Sequence, residues 1–274
     1  MSPIYKVTVR KNRDGISETI IDATSRDRWG RPLEHMALNA EIRKAIHEGA
    51  RRIMIDGVLG QRYIASAAKA KDLYVGIRGT PGNDLGAFLD GPTLEVFGNA
   101  QDMTGNTMSS GRIVIHGNAW DVTGLSLRGG RILVRGSSGF RVGIHMKEFG
   151  EDRPAIVIGG STGDYLGEYM AGGNVLVLGD GVPENESPVG SFVGTGIHGG
   201  CIFVRGKVEK HQLGMGASIS DLTDDDKILL EELISDFEKS FETKVERDWS
   251  KIVKIKPLSS RPFTGRFDST PIWN

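Results

Sequence analysis

The chain has 274 residues and a formal net charge of −1, from 34 basic and 35 acidic side chains, so no broad electrostatic attraction to nucleic acid or to an anionic membrane is expected. Its one cysteine, Cys201, excludes an internal disulfide and cannot by itself supply the roughly four thiolates of an iron–sulfur cluster. Apolar residues make up 38% of the chain, enough for a core, yet no apolar run approaches the roughly 20 residues of a membrane span, which predicts a soluble cytoplasmic protein.

The N-terminal segment, residues 1–49, reads as a strand followed by a helix. Its first ten residues alternate apolar and polar side chains, which is typical of a strand and not of a signal peptide. Further along, Leu38, Ile42 and Ile46 share one face of a predicted helix, and Gly49 is placed where helices commonly end. We expect this helix to cap the fold that follows.

Residues 50–218 contain a glycine repeat. The chain has 38 glycines, near twice the usual share of about 7%. Short apolar stretches each end in a closing glycine, at intervals of 22, 19, 19, 19, 23, 20 and 27 residues: Gly57, Gly79, Gly98, Gly117, Gly136, Gly159, Gly179 and Gly206. A repeat of this regularity is typical of a solenoid, and the closing glycine suits a sharp corner.

The residues before each closing glycine alternate between two faces. Those two positions before it are Ile55, Ile77, Val96, Ile115, Val134, Val157, Val177 and Val204. Those four positions before it are Ile53, Val75, Leu94, Ile113, Ile132, Ala155, Val175 and Ile202. All are aliphatic, while the intervening positions are mixed, so each stretch is predicted to be a strand with one buried face.

A second glycine opens each rung, and an apolar residue follows it three positions later. The opening glycines are Gly86, Gly105, Gly124, Gly143, Gly167, Gly194 and Gly214. Nineteen residues that include a strand leave no room for the helical crossover of a βαβ unit, which takes about 30 residues or more. We therefore predict a mainly β chain, a parallel β-helix of about eight rungs of 19–27 residues. Two insertions between rungs, residues 147–153 and 182–188, are the first candidates for contacts with a partner.

The C-terminal segment, residues 219–274, begins with a predicted capping helix over residues 223–244. Thr223 and Asp226 form a variant capping box at its start. Its apolar stripe consists of Leu229, Leu230, Leu233, Ile234, Phe237 and Phe241. The tail from residue 252 onward is punctuated by prolines, and we expect it to wrap a surface or a partner.

Two motifs invite a ligand interpretation. Residues 194–199 spell G-x-G-x-x-G, but they precede a predicted strand, whereas a dinucleotide site needs the motif between a strand and a helix. Side chains three positions before the opening glycines form a possible ladder: Asn83, Asp102, Asp121, Asp164 and Ser191. This ladder could bind a hard cation through its oxygens, or each side chain could accept a hydrogen bond within its own turn, which we favour.

No catalytic, cofactor-binding or metal-binding residue is predicted. The six histidines (His35, His47, His116, His145, His198 and His211) have no metal-site spacing and do not share one position in the repeat. Cys201 beside a strand is predicted to be a packed thiol and not a nucleophile. We expect no cofactor and no active site within this chain.

Whole rungs resemble a known family. The matching segments are GQRYIA (60–65), TPGNDLGAFLDGP (80–92), GNAQDMTGNTMSSGRIVIHG (98–117), VGIHMKEFG (142–150) and GDYLGEYMAGG (163–173). They resemble the GXGXG domain that closes the large (alpha) subunit of glutamate synthase, in the version found as a separate polypeptide in archaea and some bacteria. The domain is also similar to one of the subunits of formylmethanofuran dehydrogenase. The resemblance covers about residues 38–217.

The resemblance implies a right-handed β-helix that positions catalytic domains without chemistry of its own. In glutamate synthase, one domain hydrolyses glutamine at an N-terminal cysteine, and ammonia travels to a flavin and iron–sulfur domain that reductively aminates 2-oxoglutarate. None of those active-site residues has a counterpart here, since position 1 is Met and there is one cysteine.

Three functions are therefore considered. The first is a structural subunit of a glutamate-synthase-type complex, docking a glutaminase-type amidotransferase subunit and an FMN/iron–sulfur synthase subunit, with self-association also considered. The second is a subunit of a formylmethanofuran dehydrogenase, formyltransferase or methylamine–glutamate enzyme complex. The third is an acyltransferase with a left-handed hexapeptide coil, which the nineteen-residue period disfavours.

Overall fold

The computed structural model describes residues 5–11, 15–150 and 153–258, which form one twelve-stranded sheet and two α-helices. The strands are β1 (Lys6–Lys11), β2 (Ser17–Asp22), β3 (Arg52–Leu59), β4 (Tyr74–Thr80), β5 (Asp90–Phe97), β6 (Ser110–Ile115), β7 (Arg131–Val134), β8 (Ala155–Ile158), β9 (Ala171–Val177), β10 (Gly199–Arg205), β11 (Ala217–Ser220) and β12 (Ile252–Pro257). The helices are α1 (His35–His47) and α2 (Asp224–Phe241), with short 3-10 helices at Lys210–Gln212 and Trp249–Lys251. Neither α-helix is long and apolar enough to cross a membrane.

The sheet is the long wall of a parallel β-solenoid. Strands β2 to β10 follow one another in chain order, and each pairs in parallel with the next. The mainly β solenoid predicted from the repeat is confirmed, with about six turns in place of about eight. The difference lies at the ends. The coil before β3 is replaced by α1, and the coil after β10 is replaced by antiparallel β11 and β12.

Like aliphatic residues stack along the interior of the solenoid. Leu94 lies opposite Ile113, which lies opposite Ile132 on the following strand. Every aliphatic position predicted from the repeat is buried. Because each interior residue packs on its counterpart about 4.8 Å above and below, the column excludes water along its length.

The phase of one strand was predicted wrongly. In β8, Ile156 and Ile158 face the interior, paired with Ile132 and Val134, whereas the repeat had assigned Ala155 and Val157 to that column. Ala155 and Val157 instead belong to a second apolar cluster on the outside of the sheet. All four residues of β8 are buried, so alternation is absent and the sequence alone could not fix the phase.

Helix α2 forms an outer layer over strands β7 to β10. Its apolar stripe packs on outward side chains of the sheet, and the buried members of this cluster are Leu133, Ala155, Val157, Leu176, Leu178, Phe203, Leu230, Leu233, Ile234, Phe237, Val245 and Ile252. Asp236 of the helix accepts hydrogen bonds from Arg112 (2.7 Å) and Arg131 (3.0 Å) on the sheet. The predicted capping box of Thr223 and Asp226 is confirmed.

The two ends of the solenoid are covered differently. At the N-terminal end, Leu38, Ile42 and Ala45 of α1 join the interior cluster. At the C-terminal end, β12 pairs with β10, so residues 252–257 are strand and not irregular tail. Residues 259–274, the rest of the predicted tail, lie outside the described residues.

The closing glycines reflect close approach of successive coils as well as corners. A Cβ on Gly98 would overlap the carbonyl oxygen of Gly79 in the preceding coil, although the backbone of Gly98 is not left-handed. Gly117 is in the same situation against Asn99. Glycine therefore maintains the spacing of the coils at these positions, where the sequence had suggested only a bend.

Candidate interaction face

The six connections between β4 and β10 contain the same turn. At the centre is a rung-opening glycine in the left-handed region, and the residues two before and two after it are also left-handed. The residues two before are Asp84, Met103, Val122, Arg141, Tyr165 and Phe192, and those two after are Phe88, Thr107, Ser126, His145, Tyr169 and Gly196. The connection between β3 and β4 repeats this geometry with Tyr63, Ala65 and Ala67. We call the residues two before and two after these centres the turn face.

A left-handed residue other than glycine costs about 1–2 kcal/mol, so this arrangement requires compensation. It comes from hydrogen bonds between coils. The Phe88 N–H donates to the carbonyl of Asn106 at 2.8 Å, and the Ser126 N–H donates to that of Ile144 at 2.8 Å. The turn is thus a repeated structural device of the solenoid.

Most turn-face side chains point outward, because their neighbours fill the interior. Leu85 and Leu89 on either side of one turn are fully buried, while Phe88 between them is 56% exposed. Tyr169 is 46% exposed and Phe192 is 48% exposed, and Phe140 beside them is 50% exposed. The face therefore presents aromatic side chains to solvent at a regular spacing.

Aromatic side chains of successive turns are stacked on one another. The rings of Tyr165 and Phe192 are 4.8 Å apart, and the Arg141 guanidinium lies 4.8 Å from the Tyr165 ring centre. In the parallel column, His145 stacks on Tyr169 at 5.5 Å. Such contacts reduce side-chain freedom, so the aromatic groups are held in a fixed pattern before any partner arrives.

Ion pairs join the two columns. The Glu168 carboxylate accepts a hydrogen bond from Arg141 Nε at 2.8 Å and raises the pKa of that guanidinium. One end of the solenoid has an equivalent polar pair, in which Asn106 Nδ2 donates to the Asp84 carboxylate at 2.9 Å. Arginine and aromatic residues in one patch are the composition enriched at protein interfaces.

The predicted ladder of polar side chains exists, but it bonds between coils. Asp102 accepts the Asp121 N–H at 3.1 Å, and Asp121 accepts the Phe140 N–H at 2.9 Å. Asp164 accepts the Ser191 N–H at 2.7 Å. Bonding within each side chain's own turn, which the sequence had favoured, is replaced by bonding to the next coil.

A second ladder, which the sequence analysis missed, follows the closing glycines. Asn99 Oδ1 accepts the Asn118 N–H at 2.8 Å, and Asn118 Oδ1 accepts the Ser137 N–H at 2.8 Å. Ser137 Oγ in turn accepts the Ser161 N–H at 3.0 Å. The signal in the sequence was an Asn or Ser directly after a glycine in successive rungs.

We expect Asn118→Ala to lower the free energy of unfolding by about 1 kcal/mol, because the Ser137 N–H loses its acceptor. Denaturant unfolding followed by circular dichroism measures the change. The matched control is Asn185→Ala in the exposed 182–188 loop, expected within about 0.5 kcal/mol of the parent. Equal effects of the two substitutions would show that this ladder adds no stability.

The G-x-G-x-x-G segment lies in the last turn before β10. Its Gly194 N–H donates to the Leu166 carbonyl at 2.7 Å, and its Gly196 N–H donates to the Met215 carbonyl at 2.7 Å. These amides thus bond to neighbouring coils. No helix follows this segment directly, since β10 does.

The histidines and the cysteine are dispersed. His116 Nε2 lies 2.8 Å from Glu95 and stacks on Phe97, on the outer face of the sheet. Cys201 lies opposite Asn174, where burial raises the pKa of its thiol. Among the residues that the structure describes, no group of three or more His, Cys, Asp or Glu side chains is placed to hold a metal ion.

The insertion at residues 182–188 lines a cavity of about 420 Å³ together with Arg205, Lys207 and Lys251. The cations there have partners, since Arg205 bonds Asp180 at 2.5 Å and Lys251 lies 3.8 Å from a glutamate of the loop. In the other insertion, Phe149 is 79% exposed, and residues 151–152 lie outside the described part. The aromatic turn face was not predicted, because positions flanking the opening glycine vary in type from turn to turn.

Comparisons with known proteins find three matches. A family model described as "GXGXG motif" matches residues 33–255. An uncharacterized protein of Methanocaldococcus jannaschii is 46% identical over 257 residues, which is 91% of this chain and 96% of that protein. Ferredoxin-dependent glutamate synthase 2 of Synechocystis is 30% identical over 157 residues, which is 54% of this chain but 9% of that protein.

Proposed function

Because this chain belongs to the GXGXG motif family and is distantly related to a region of glutamate synthase, we propose that it is a structural subunit of a glutamate-synthase-type complex without an active site of its own. It would act in the cytoplasm, in glutamine-dependent reductive amination of 2-oxoglutarate. Its partners would be a separately encoded glutaminase-type amidotransferase subunit and an FMN/iron–sulfur synthase subunit.

The lengths of the relatives support a docking role. In the Synechocystis protein the matched region is a small part, 9%, of one long polypeptide. The Methanocaldococcus relative, in contrast, is matched over 96% of its length by this chain. A solenoid that is not part of the same polypeptide as the catalytic domains must reach them by noncovalent contact, and such contact needs a specific surface.

The stacked column of Arg141, Tyr165 and Phe192 is the observation that carries the proposal. Its groups are exposed or half-buried, ordered by ring stacking and by the ion pair to Glu168. Binding energy at interfaces concentrates on such aromatic and arginine side chains, and rigid groups lose less entropy on binding. A surface with this composition is suited to a protein partner.

The test is co-migration on gel filtration with the purified amidotransferase and synthase subunits. We expect a stable complex, and we expect Tyr169→Ser/Phe192→Ser to weaken it at least about ten-fold, since hot-spot truncations cost about 2 kcal/mol or more. The matched control is Trp29→Ser/Phe97→Ser, which removes two exposed aromatic groups from other surfaces. The same columns report whether the chain associates with itself.

Three results would contradict the proposal. The first is no co-migration with either subunit, and the second is an equal loss from both double variants. The third is assembly with formylmethanofuran dehydrogenase, formyltransferase or methylamine–glutamate enzyme subunits in their place, which would favour the alternative function.

A further inference from the structure

The last described strand delivers the chain to the turn face. β12 runs antiparallel to β10, with Ile252 opposite Arg205 and Ile255 opposite Ile202. Its C-terminal end therefore lies at the start of β10, directly after the turn that carries Phe192. The Leu258 N–H donates to the Gly216 carbonyl at 2.8 Å, which fixes the exit point beside the last turn.

The surface at this exit is apolar and uncovered by the described residues. Leu258 is 72% exposed and Met215 is 87% exposed. The Met215 carbonyl accepts the Gly196 N–H, so this methionine lies one coil beyond the turn of Phe192 and Tyr169. Exposed apolar groups that adjoin in this way mark a surface that binds another apolar segment.

The sixteen residues after Leu258 have the composition for that surface. Residues 259–274 include Phe263, Phe267 and Trp273, so aromatic residues are far more frequent there than the 7% of the whole chain. An extended chain reaches about 3.3 Å per residue, roughly 50 Å in all, whereas two coils of the solenoid span only about 10 Å. The segment is long enough to cover the last turns.

Charge is complementary as well. The turn region next to the exit has carboxylates at Asp121, Asp164 and Glu168, and Arg141 in the same region is already paired with Glu168. The segment after Leu258 contains Arg261 and Arg266 against one acidic side chain. Arginines in the segment thus face an excess of carboxylates on the surface.

We propose that residues 259–274 of the same chain bind the C-terminal part of the turn face, over Tyr169, Phe192 and Met215, in the protein without partners. The segment acts as an intramolecular cover for the aromatic columns. A partner that binds these columns has to displace it. The inference holds independently of which partner binds there.

The test is hydroxyl-radical footprinting of the full-length chain, read by mass spectrometry at individual side chains. We compare the parent with Phe263→Ser/Phe267→Ser/Trp273→Ser, which keeps the chain length and the fold described above. Oxidation of Tyr169, Phe192 and Met215 is expected to be several-fold slower in the parent. Phe97 (42% exposed) and Trp29 (63% exposed) on other surfaces are internal controls whose rates stay unchanged.

A peptide of residues 259–274, added to the triple variant, is expected to restore the protection, and a peptide with the same three serines is not. Equal oxidation rates in parent and variant would overturn the proposal. Protection in the parent that increases with protein concentration would also overturn it, because the cover would then come from a second copy.

Discussion

Gly79→Ala is expected to lower the free energy of unfolding by about 2–5 kcal/mol, one of the two largest effects predicted for this chain. Gly79 has φ of +125°, a region that other residues rarely adopt, and a Cβ there would overlap the carbonyl oxygen of Val58 in the preceding coil. That oxygen belongs to the backbone at an irregularity between β3 and β4, so it cannot move without disturbing the pairing. Denaturant unfolding measures the loss.

The control for Gly79 separates backbone strain from collision. Gly181 has φ of +80°, but a Cβ there would have no atom within 4 Å. Gly181→Ala is therefore expected to cost only the backbone term, about 1–2 kcal/mol. If both substitutions destabilise equally, close approach of the coils is not what requires glycine at position 79.

Lys254→Met is expected to destabilise the protein by about 3–5 kcal/mol, because it leaves a buried carboxylate without its cation. Lys254 Nζ on β12 donates to the Asp226 carboxylate on α2 at 2.5 Å, and both residues are 8% exposed. The same carboxylate caps α2 by accepting the Thr223 N–H at 2.7 Å. The pair thus joins the outer helix to the strand that covers the end of the sheet.

The effect of Lys254→Met is expected to depend on pH in a defined direction. Burial by itself raises the pKa of Asp226, but the bonds from Lys254 and Thr223 outweigh it, so the folded pKa is lowered. A lowered folded pKa gives stability that is present above the unfolded value of about 4 and is lost as pH falls through the folded value. The gap between parent and variant should therefore narrow between pH 7 and pH 3.

Lys227→Met is the matched control for that pair. Lys227 bonds Asp224 at 2.8 Å on the same helix, but the two side chains are 42% and 92% exposed. Its loss is expected to cost less than about 1 kcal/mol, because water screens an exposed pair. A pH-independent gap for Lys254→Met, or a cost equal to that of Lys227→Met, would show that the buried pair does not hold α2 in place.

The prediction of strands from the repeat was accurate where one face of a strand is buried and the other is not. At β6, Ile113 and Ile115 were assigned to the interior correctly. At β8 the assignment was wrong by one residue, since α2 buries the second face as well and removes the alternation. Strands β2, β11 and β12 were not predicted, because they lack the glycine repeat and form by pairing with coils distant in sequence.

The sequence by itself determined the solenoid, its aliphatic column and both helices, since these follow from periodicity, from glycine at fixed intervals and from capping residues that act locally. Only the tertiary structure decided the phase of β8, the packing of α2 on the side of the sheet, and the alignment of Arg141, Tyr165 and Phe192. Those residues belong to successive coils separated by more than 20 positions, and they share no residue type that a repeat could reveal. Their stacking arises because each coil places the same backbone position directly above the last, whichever side chain it carries.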